Sequence, residues 1–493
     1  MKQKTVLAVD LGAESGRVMA VHFNGRSLDL QELNRFPNTT TTVNNTLHWD
    51  FLRLWRDIQA GIAQGKALNP ASIGVDTWGV DFGLLDKQGT LIGNPVHYRD
   101  SRTVGKMERV FEIVPRSEVF AQTGIQFMEL NTLYQLMSLV DSQSPQLDIA
   151  DTLLFSPDLL NYWLTGAKVC ESSIASTSQM VNPQTGSWAT DLLDKLGIPT
   201  HFLPEIVPSG TRLGDYDGIP VIAPACHDTG SAVAAVPAQT KDFAYLSSGT
   251  WSLFGLEIPQ PIVNEAALAA NVTNEGGAYG TIRLLKNVMG LWLVQQSRVT
   301  WKAQGEELSY GELVEMARTA SPLRSLVNVN DSRFIAPGDM PSRVQAFCEE
   351  TGQPVPQSKG EIIRTILESL ALAYRDSLAQ VSSVTSTSSA TEAAVSNQPV
   401  SVVHIVGGGT QNKLLNQMTA DATGLPVITG PIEATVIGNA LVQLISLGEI
   451  ANLAEARQIV AEMGGMENYE PDKKETAVWQ AAYEKYQRLK IED

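Results

Sequence analysis

The chain has 493 residues, and single hydrophobic cores stop growing at roughly 250–300 residues, so we expect two large domains. Its hydrophobic fraction of 43% and charged fraction of 18% are those of an ordinary globular protein. The formal net charge of −17 argues against the basic surface that binding to nucleic acid or to an anionic membrane requires. An acidic protein must hold any polyanion with local backbone amides and a metal ion, because its overall field repels such ligands.

The three cysteines, Cys170, Cys226 and Cys348, are odd in number and far apart. They fit neither a disulfide framework nor a metal-binding pair, so reduced thiols in a cytoplasmic protein are the simplest interpretation. The N-terminal sequence MKQKTVLAVDLG runs directly into a strand pattern and lacks the apolar core and cleavage site of a signal peptide. No apolar run approaches the roughly 18 residues of a membrane span. We therefore predict a cytoplasmic protein with no membrane partner, whose oligomeric state the sequence leaves open.

The N-terminal half begins with a strand, a tight turn and a second strand. Residues 6–10 (VLAVD) are an apolar run that ends in an acid, residues 11–16 predict the turn, and residues 17–23 continue as a strand. Periodicity then predicts a helix at 51–67, a strand at 72–82, helices at 153–164 and 191–196, and a strand at 221–226.

A second cycle with the same order begins at residue 243. A strand at 243–247, a small-residue turn at 248–250 and a strand at 251–256 repeat the opening arrangement. This repetition predicts two domains of related topology, with a boundary near residues 231–240. Further elements are predicted as a helix at 361–384, a solvated Ser/Thr/Ala-rich loop at 382–398, a strand at 402–406, a glycine turn at 407–409 and a helix at 412–423.

The first turn is a candidate phosphate-binding site. In residues 10–17 (DLGAESGR), the small residues Ala13, Ser15 and Gly16 let backbone N–H groups approach phosphate oxygens. Asp10, at the end of the strand, could hold Mg²⁺ through water, because Mg²⁺ keeps much of its hydration shell. An ordinary hairpin with a surface acid explains the same residues equally well.

Two further turns have similar chemistry. Residues 246–252 (LSSGTWS) offer Gly249 and a hydroxyl donor, Thr250, but Ser-Gly turns are common. Residues 406–412 (VGGGTQN) would let a flat ligand lie against the backbone. This second motif has neither the dinucleotide-binding glycine spacing nor the Gly-Lys-Ser/Thr ending of a P-loop, so a plain strand-to-helix turn remains an alternative.

The segment CHDTGSAV, residues 226–233, contains a candidate general base. Asp228 follows a predicted buried strand, and phosphoryl transfer to an alcohol needs a carboxylate within hydrogen-bond reach of the attacking hydroxyl. A turn acid that caps the next element is the alternative interpretation. A thiol nucleophile at Cys226 beside His227 is disfavoured, because adjacent strand residues point to opposite faces.

The segments DTWGVDF (76–82) and YRDSRT (98–103) have the composition of a sugar site. Trp78 could stack on a sugar face or a methyl group, while Asp81 and Arg99 could bind hydroxyls. Such residues also commonly satisfy one another inside a core, so this pattern alone does not decide between the two interpretations.

Taken in order, these segments resemble the FGGY carbohydrate kinase family along nearly the whole chain. The subgroup that acts on L-rhamnulose is most similar, through the strings GVDTWGVDFGLLD, YRDSRT, HDTGSAVAAVP, YLSSGTWSL, NVTNEGG, LLKNVMGLWL and HIVGGGTQN. The resemblance implies an α/β fold of two RNase H-like domains, of the actin, hexokinase and heat-shock ATPase type. Each domain would be a mixed sheet flanked by helices, at 1–235 and 236–493, with ATP and the sugar in the cleft between them.

The resemblance also implies roles for individual residues. Asp228 would be the catalytic base, and Asp10 and Asp228 would hold Mg²⁺. ATP would contact Ala13, Glu14, Ser15, Gly16, Arg17, Gly249, Thr250, Gln295, Gly408 and Gly409. The sugar would contact Gly79, His227, Thr229 and Asn287, beside the Trp78, Asp81 and Arg99 that side-chain chemistry suggests.

The activity implied is ATP-dependent phosphorylation of L-rhamnulose at its 1-hydroxyl, a step of L-rhamnose catabolism. A kinase for L-fuculose, D-xylulose or D-fructose, and a catalytically silent sugar-binding regulator on the same fold, remain alternatives. An actin-like or chaperone ATPase is disfavoured by the sugar-facing TWGVDF segment. Two features depart from the family: Glu14 replaces a small hydroxyl residue, and the segment 382–398 has no counterpart, which fits a tolerated surface insertion.

Overall fold

The structure, a computed structural model, describes residues 3–386 and 399–490. Its N-terminal half is built on a six-stranded mixed sheet. The strands of this half are β1 (Lys4–Leu11), β2 (Ser15–Phe23), β3 (Leu28–Pro37), β4 (Thr40–Val43), β5 (Thr46–Trp49), β6 (Ile73–Thr77), β7 (Phe82–Leu85), β8 (Thr152–Phe155), β9 (Val169–Glu171), β10 (Val181–Asn182), β11 (Ser187–Trp188), β12 (Glu205–Val207), β13 (Arg212–Tyr216) and β14 (Ile219–Ile222). Its α-helices are α1 (Phe51–Lys66), α2 (Lys106–Ile113), α3 (Arg116–Thr123), α4 (Thr132–Asp141), α5 (Pro145–Ile149), α6 (Ser156–Thr165), α7 (Ser172–Ser176), α8 (Thr190–Lys195) and α9 (Asp228–Ala234).

The first sheet has the strand order β13-β14-β6-β1-β2-β3. Strands β1, β2 and β3 are antiparallel neighbours, whereas β6 and β14 run parallel to β1. The apolar run of β1 is buried because the sheet is covered on both faces. Helix α1 lies very close to one face, since a Cβ on its Gly61 would come within 2.5 Å of Val18. The register puts Asp10 beside Asp76, at the carboxyl ends of two parallel strands.

The C-terminal half is built on a second, seven-stranded mixed sheet. Its strands are β15 (Phe243–Ser248), β16 (Trp251–Ile258), β17 (Thr273–Gly276), β18 (Ile282–Met289), β19 (Val402–Val406), β20 (Val427–Thr429) and β21 (Asn468–Tyr469). Its α-helices are α10 (Glu265–Ala270), α11 (Trp292–Ala303), α12 (Tyr310–Thr319), α13 (Met340–Glu350), α14 (Lys359–Ser386), α15 (Lys413–Thr423), α16 (Ala434–Ser446), α17 (Leu453–Glu462) and α18 (Thr476–Arg488). Short 3₁₀ turns occur at Ser101–Thr103, Ala278–Gly280, Ser332–Phe334 and Gly408–Gln411.

The second sheet repeats the topology of the first. Strands β15, β16 and β18 are antiparallel neighbours, and β19 and β20 continue the sheet parallel to β15. The order β18-β16-β15-β19-β20 therefore corresponds to β3-β2-β1-β6-β14. The predicted α/β fold, with two related halves and mixed sheets flanked by helices, is confirmed.

Two helices, α9 and α16, lie between the sheets. They touch so closely that a Cβ on Gly438 would overlap the carbonyl oxygen of Ser231. Helix α16 comes late in the chain, yet it packs on β1 and β6 of the first sheet, where its Asn439 and Gln443 form hydrogen bonds. A single hydrophobic cluster consequently joins side chains of both sheets and both helices.

Several predicted element boundaries are wrong. Residues 153–155 belong to strand β8, and the helix predicted from 153 begins only at Ser156, where Pro157 fits the first turn. The strand predicted at 72–82 is interrupted after Thr77, because Val80 adopts a left-handed conformation with φ 69°.

Two further boundaries differ. The strand predicted at 221–226 ends at Ile222, so a short irregular segment delivers Asp228 to helix α9. Residues 382–384, where the predicted helix and loop overlap, are helical, and so are 385–386, which were predicted as loop only. The rest of the predicted loop, 387–398, lies outside the described residues. Within the described ranges, no helix is long and apolar enough to cross a membrane.

Candidate active site

A cavity of about 600 Å³ opens between the two halves, where β1, β6, β15 and β19 end. Most of the predicted site residues contribute to its wall. They are Ala13, Glu14, Ser15, Arg17, Trp78, Gly79, His227, Asp228, Thr229, Gly249, Thr250, Asn287, Gln295 and Gly408. The fold thus brings residues from six separate sequence segments (13–17, 78–79, 227–229, 249–250, 287–295 and 408) to one cleft.

Three other predicted residues lie behind this wall. Asp10 is buried at the end of β1, where its Oδ2 accepts a 2.8 Å hydrogen bond from Nε of Arg17. Gly16 and Gly409 are packing positions, because a Cβ on Gly16 would overlap the ring of Phe36 and one on Gly409 would overlap Ser248. These two glycines let neighbouring backbone approach the cleft rather than lining it themselves.

Asp81 also lies behind the wall. It is completely buried and accepts hydrogen bonds from Nε1 of Trp49 (2.6 Å), Nε1 of Trp78 (2.9 Å) and Nε2 of Gln135 (3.1 Å). Burial raises the pKa of Asp81 to about 6, although these donors favour the charged form. In this arrangement Asp81 fixes the indole ring of Trp78, which faces the cavity.

Arg99 joins the two halves instead of lining the cavity. Its guanidinium carbon lies 5.2 Å from the ring centroid of Trp251 and 4.3 Å from that of Trp292, and its Nη1 donates to the carbonyl oxygen of Ile335 at 2.6 Å. All three partners belong to the C-terminal half, so an arginine of the N-terminal half is seated in an aromatic cage across the cleft.

The first hairpin presents free backbone amides to the cavity. The turn is closed by a 3.0 Å hydrogen bond from the N–H of Gly12 to the carbonyl of Ser15, and Asn38 holds it from outside. In the described parts of the chain, no protein group accepts a hydrogen bond from the N–H of Ala13 or of Glu14. Two donors are therefore available for an anion at this point.

A further unsatisfied polar group lies beside the second turn, residues 248–250. Nε2 of Gln295, on helix α11, donates to Oγ1 of Thr250 at 3.2 Å. Its Oε1 is buried and has no hydrogen-bond partner among the described residues. A buried amide oxygen of this kind is normally satisfied, so it marks a place where a ligand donor fits.

Glu14, the residue that departs from the family pattern, faces a cation. Loss of hydration raises the pKa of Glu14, and the positive charge of Arg298 on helix α11 opposes this shift. Arg298 itself lies over the ring of Tyr310, at 4.8 Å from the centroid. Glu14 lines the cavity, and the charge of Arg298 favours its ionised form.

The two carboxylate oxygens of Asp228 have different surroundings. Oδ1 accepts hydrogen bonds from the N–H (2.5 Å) and Oγ1 (3.1 Å) of Thr229, and Nε2 of His227 lies 3.4 Å away. No protein group in the described ranges hydrogen-bonds Oδ2, and 26% of the side chain is exposed towards the cleft. Burial raises the pKa of Asp228, an effect that the charge of Asp10 strengthens and His227 and Thr229 oppose. Oδ2 is therefore a free proton acceptor on the cavity floor.

Sequence reasoning missed three residues of this site. Glu275 and Gln126 line the cavity, and Oε1 of Gln126 accepts a 2.8 Å hydrogen bond from the backbone N–H of Asn287. Arg283, completely buried, contacts both Glu275 and His227. The string NVTNEGG contains Glu275 but no local signal for its partner, because a buried glutamate needs a cation and this pairing depends on strand register.

Three acids cluster at the floor of the cleft: Asp228 lines the cavity, and Asp10 and Asp76 are buried behind it. Burial raises the pKa of Asp76 well above its ordinary range, and the charges of Asp10 and Asp228 raise it further. Oδ1 of Asp76 is buried without a partner in the described structure. Such crowding of carboxylates suits a divalent cation. In residues 3–386 and 399–490, no group of three or more His, Cys, Asp or Glu could hold a metal ion. Asp10 and Asp228 supply hard carboxylate oxygens, and Mg²⁺ commonly takes one or two such ligands together with phosphate and water.

Two family models match the chain. The N-terminal domain of the FGGY family of carbohydrate kinases matches residues 5–219, and the C-terminal domain of the same family matches residues 244–447. Each match covers most of one of the two sheets, although most of β14 and all of β21 lie outside the matched ranges.

Curated relatives match over nearly their whole length. A rhamnulokinase of Bacteroides thetaiotaomicron is 44% identical over 497 residues, which cover 98% of this chain and 98% of the relative. A rhamnulokinase of Pectobacterium atrosepticum is 44% identical over 480 residues, which cover 96% of this chain and 94% of the relative. One of Yersinia pestis is 45% identical and covers 92% of this chain and 93% of the relative.

Solved structures share the fold. Gluconate kinase from Lactobacillus acidophilus superimposes with a TM-score of 0.78 at 16% identity, covering 99% of this chain and 98% of that chain. Plasmodium falciparum glycerol kinase with ADP gives a TM-score of 0.73 at 14% identity, with the same coverage. The two family models together span most of the sequence, and the chain therefore belongs to the FGGY family of carbohydrate kinases.

Proposed function

We propose that this protein transfers the γ-phosphoryl group of ATP to the 1-hydroxyl of L-rhamnulose. Membership of a carbohydrate kinase family implies a sugar acceptor and ATP. The observation that carries the chemistry is Asp228, with one carboxylate oxygen held and the other free on the cavity floor. The substrate is proposed from the relatives named rhamnulokinase, which are 44–45% identical over nearly the whole chain.

Asp228 acts in this proposal as the general base. Its Oδ2 accepts the proton of the sugar 1-hydroxyl while the hydroxyl oxygen attacks the γ-phosphorus. The bond from this phosphorus to the bridging oxygen of ADP breaks, and ADP leaves with the electron pair. Thr229 keeps Oδ1 in place, so the carboxylate does not rotate away from the hydroxyl. The raised pKa of Asp228 makes it a better proton acceptor than an ordinary aspartate.

We propose that ATP is bound mainly by backbone amides and by few charged side chains. The free N–H groups of Ala13 and Glu14 face the transferring phosphate, with Gly249, Thr250 and Gly408 across the cleft. Gln295 offers its unpaired Oε1 to a nucleotide donor. The remaining predicted contacts, Ser15, Gly16, Arg17 and Gly409, complete the two turns around the phosphates and the adenosine.

Asp10 and Asp228 are proposed to hold Mg²⁺. Both are hard oxygen ligands next to the phosphate turns, and the crowding with Asp76 favours a cation at that place. When bound, Mg²⁺ neutralises charge on the ATP phosphates, as in other phosphoryl transferases.

The sugar is proposed to lie against Trp78, and its polar contacts are proposed to be Gly79, His227, Thr229 and Asn287. L-rhamnulose ends in a methyl group, and the indole face of Trp78 offers an apolar wall for it. Asp81 and Arg99 stay predictions as sugar contacts. Their geometry favours supporting roles, Asp81 behind Trp78 and Arg99 across the cleft.

We further propose the domain division 1–235 and 236–493, because the first sheet ends at Ile222 and the second begins at Phe243. Under this division, helix α16 belongs to the C-terminal domain by sequence but packs on the N-terminal sheet. The cytoplasmic location expected from three reduced cysteines stays a prediction. All three thiols are buried and free in the structure.

The test is ADP formation by the purified protein with Mg-ATP and a panel of L-rhamnulose, L-fuculose, D-xylulose, D-fructose and glycerol. We expect L-rhamnulose to be strongly preferred and Asp228→Asn to lower kcat by about 10²–10⁴-fold. Asp217→Asn, which removes an exposed carboxylate far from the cleft, is the matched control and keeps full activity. Preference for another ketose would move the substrate assignment, whereas sugar binding without any turnover would replace the kinase with a silent sugar-binding regulator.

A further inference from the structure

Glu275 is a buried acid in the wall of the cavity. It lies on β17 directly opposite Arg283 of β18, and only 5% of its side chain is exposed, although it belongs to the cavity lining. Arg283 is 0% exposed, and its Nε donates to the carbonyl oxygen of Gly276 at 2.9 Å. The acid of this pair therefore borders the cleft, while its cation lies behind the wall.

The carboxylate of Glu275 has no short hydrogen bond. Its Oε1 accepts from Oγ1 of Thr273 at 3.4 Å and from Nδ2 of Asn287 at 3.5 Å. Its Oε2 lies 3.2 Å from Nη2 of Arg283 and 3.3 Å from Nδ1 of His227, and it is buried without a hydrogen-bond partner among the described residues. Because charge-assisted hydrogen bonds are normally about 2.7–2.9 Å long, this carboxylate has room for a better donor, whichever nitrogen of His227 carries the hydrogen.

Two ion pairs away from the active-site cavity are tighter. Glu257 accepts from Nη1 of Arg457 at 2.7 Å and from Nη2 at 3.0 Å. Glu368 accepts from Nε of Arg364 at 2.8 Å and from the backbone N–H of Leu323, also at 2.8 Å. Pairs that serve the fold alone are thus well satisfied in this protein, and the acid that borders the cavity is the under-satisfied one of the three.

Glu275 is also negatively charged. Burial raises the pKa of Glu275, but the charge of Arg283 outweighs this effect and holds the pKa at about 2. An ionised carboxylate accepts hydrogen bonds and donates none, so the ligand group that fits it is a donor. Hydroxyl groups are the donors that a sugar carries.

We propose that Glu275 is a specificity-determining residue that accepts a hydrogen bond from a hydroxyl group of the bound ketose. The proposal rests on the function proposed above, because it concerns the sugar of the same site. A buried acceptor that is left without its donor costs free energy, so a ligand that lacks the hydroxyl is rejected. Glu275 thereby distinguishes hydroxyl patterns, which the apolar face of Trp78 does not read.

The hydroxyl concerned is not the one that is phosphorylated. Nδ1 of His227 lies 3.3 Å from Oε2 of Glu275, and Nε2 of the same ring lies 3.4 Å from Oδ1 of Asp228. The imidazole therefore separates Glu275 from the proposed base, which receives the 1-hydroxyl. The 3- and 4-hydroxyls lie further along the carbon chain and are free in both the open-chain and the furanose form of L-rhamnulose, so Glu275 is assigned to one of these two.

The test is the affinity of the purified protein for L-rhamnulose and for its 3-deoxy and 4-deoxy analogues, measured by titration calorimetry without ATP. We expect the wild type to bind one analogue about 10–150-fold more weakly than L-rhamnulose, the range that a hydrogen bond to a charged group supplies. The ratio of the two affinities is the informative quantity, because a general distortion of the site weakens both sugars alike.

Two variants assign this ratio to Glu275. The double variant E275M/R283M replaces the whole ion pair with apolar side chains, which avoids a buried guanidinium without a counter-ion. In it, we expect both sugars to bind within about 2-fold of each other, the limit of additivity for groups that do not interact. Glu275→Gln keeps a weaker acceptor and should give an intermediate ratio. Glu368→Gln, which disturbs the buried pair with Arg364 away from the cavity, is the matched control and should keep the wild-type ratio.

A crystal structure of the wild type with L-rhamnulose tests the same contact without a variant. We expect a hydroxyl oxygen of the sugar within about 3.0 Å of a carboxylate oxygen of Glu275. A bound sugar that does not touch Glu275 would overturn the proposal. Equal affinity of the wild type for all three sugars would do the same, as would a wild-type ratio in E275M/R283M.

Failure of the proposed function is a separate outcome. It would appear as the absence of ADP formation with every ketose of the panel, whereas the binding measurements use no ATP. If another ketose of the panel is the substrate, its own deoxy analogues take the place of those of L-rhamnulose, and the same ratios decide the role of Glu275.

Discussion

Nη1 of Arg17 lies 2.6 Å from Oε2 of Glu433, so an arginine of the first sheet and the residue before helix α16 form an ion pair at the edge of the cavity. Arg17 also holds Asp10 through Nε, and Arg35 adds a second, longer contact to Glu433 at 3.8 Å. In the proposed reaction, ATP phosphates enter beside these two arginines. Glu433 therefore competes with ATP for the same cations.

Removing this competitor should strengthen nucleotide binding. We expect Glu433→Gln to lower the KM for ATP by about 2–5-fold, the range that one partly exposed ion pair supplies. Glu449→Gln is the matched control, because it removes the same charge from a pair with Lys4 outside the cavity and should leave the KM unchanged. A higher KM for ATP in E433Q would mean that Glu433 holds Arg17 in its working position instead.

Trp78 should set the preference for a deoxy sugar. A single methyl or methylene group in an apolar pocket changes kcat/KM by about 10–200-fold, so Trp78→Ala should reduce the preference for L-rhamnulose over D-fructose by at least about 10-fold. Steady-state kinetics on both ketoses measure this ratio. Trp55→Ala, a partly buried tryptophan on helix α1, is the control. An unchanged ratio in W78A would exclude the indole as the methyl wall.

The contact between α9 and α16 should tolerate no added atom. A Cβ at position 438 would overlap the backbone oxygen of Ser231, and helix backbones on both sides cannot yield. We expect Gly438→Ala to destabilise the protein by at least about 1–3 kcal/mol, the usual cost of overpacking. Gly93→Ala, where an added Cβ meets open space, is the control in the same thermal unfolding experiment. Equal unfolding temperatures for the two variants would contradict the close packing.

His97 should make stability depend on pH. The ring stacks on Trp49 at 4.2 Å, and burial, together with the charge of Arg99, lowers the pKa of His97 to about 3. Between about pH 6.5 and pH 3, His97 binds a proton in the unfolded chain but not in the folded protein. The free energy of unfolding therefore falls as pH falls, by up to about 1.4 kcal/mol per pH unit.

The matched variant for this effect is His97→Gln, which keeps an acceptor for the N–H of Arg99. Urea unfolding at roughly pH 7 and roughly pH 5 should show a smaller loss of stability in H97Q than in the wild type. Asp81, whose pKa of about 6 gives a slope of the opposite sign, is present in both proteins and cancels in the difference. Parallel pH profiles would show that His97 binds its proton equally well in the folded and unfolded states.

Local order along the chain was predictable, because each strand-turn-strand unit is encoded by neighbouring residues. The turn after Asp10, the turn at Gly249 and the acid at 228 were all assigned from contiguous sequence, and the structure brings them to one cleft. The supporting contacts were not predictable in the same way. Glu275 and Arg283 pair through strand register, and nothing local to either residue identifies its partner.

The position of helix α16 illustrates the same limit at larger scale. Its apolar spacing indicates a helix with a buried face, but not which sheet that face covers. Asp81 shows the same limit for a single side chain, because polar composition alone predicted it as a sugar contact. The two indole donors that surround it come from Trp78, three residues away, and from Trp49 on another strand.

The late position of α16 has a consequence for synthesis on the ribosome. Strands β1 and β6 leave the exit tunnel early, but the helix that covers one of their faces follows β6 by roughly 360 residues, which at about 5–20 residues per second takes about 20–70 s. During that interval the nascent sheet carries Val6 and Ala8 without their final cover. The first-made half of this enzyme therefore keeps part of its apolar surface exposed until nearly the entire message has been translated.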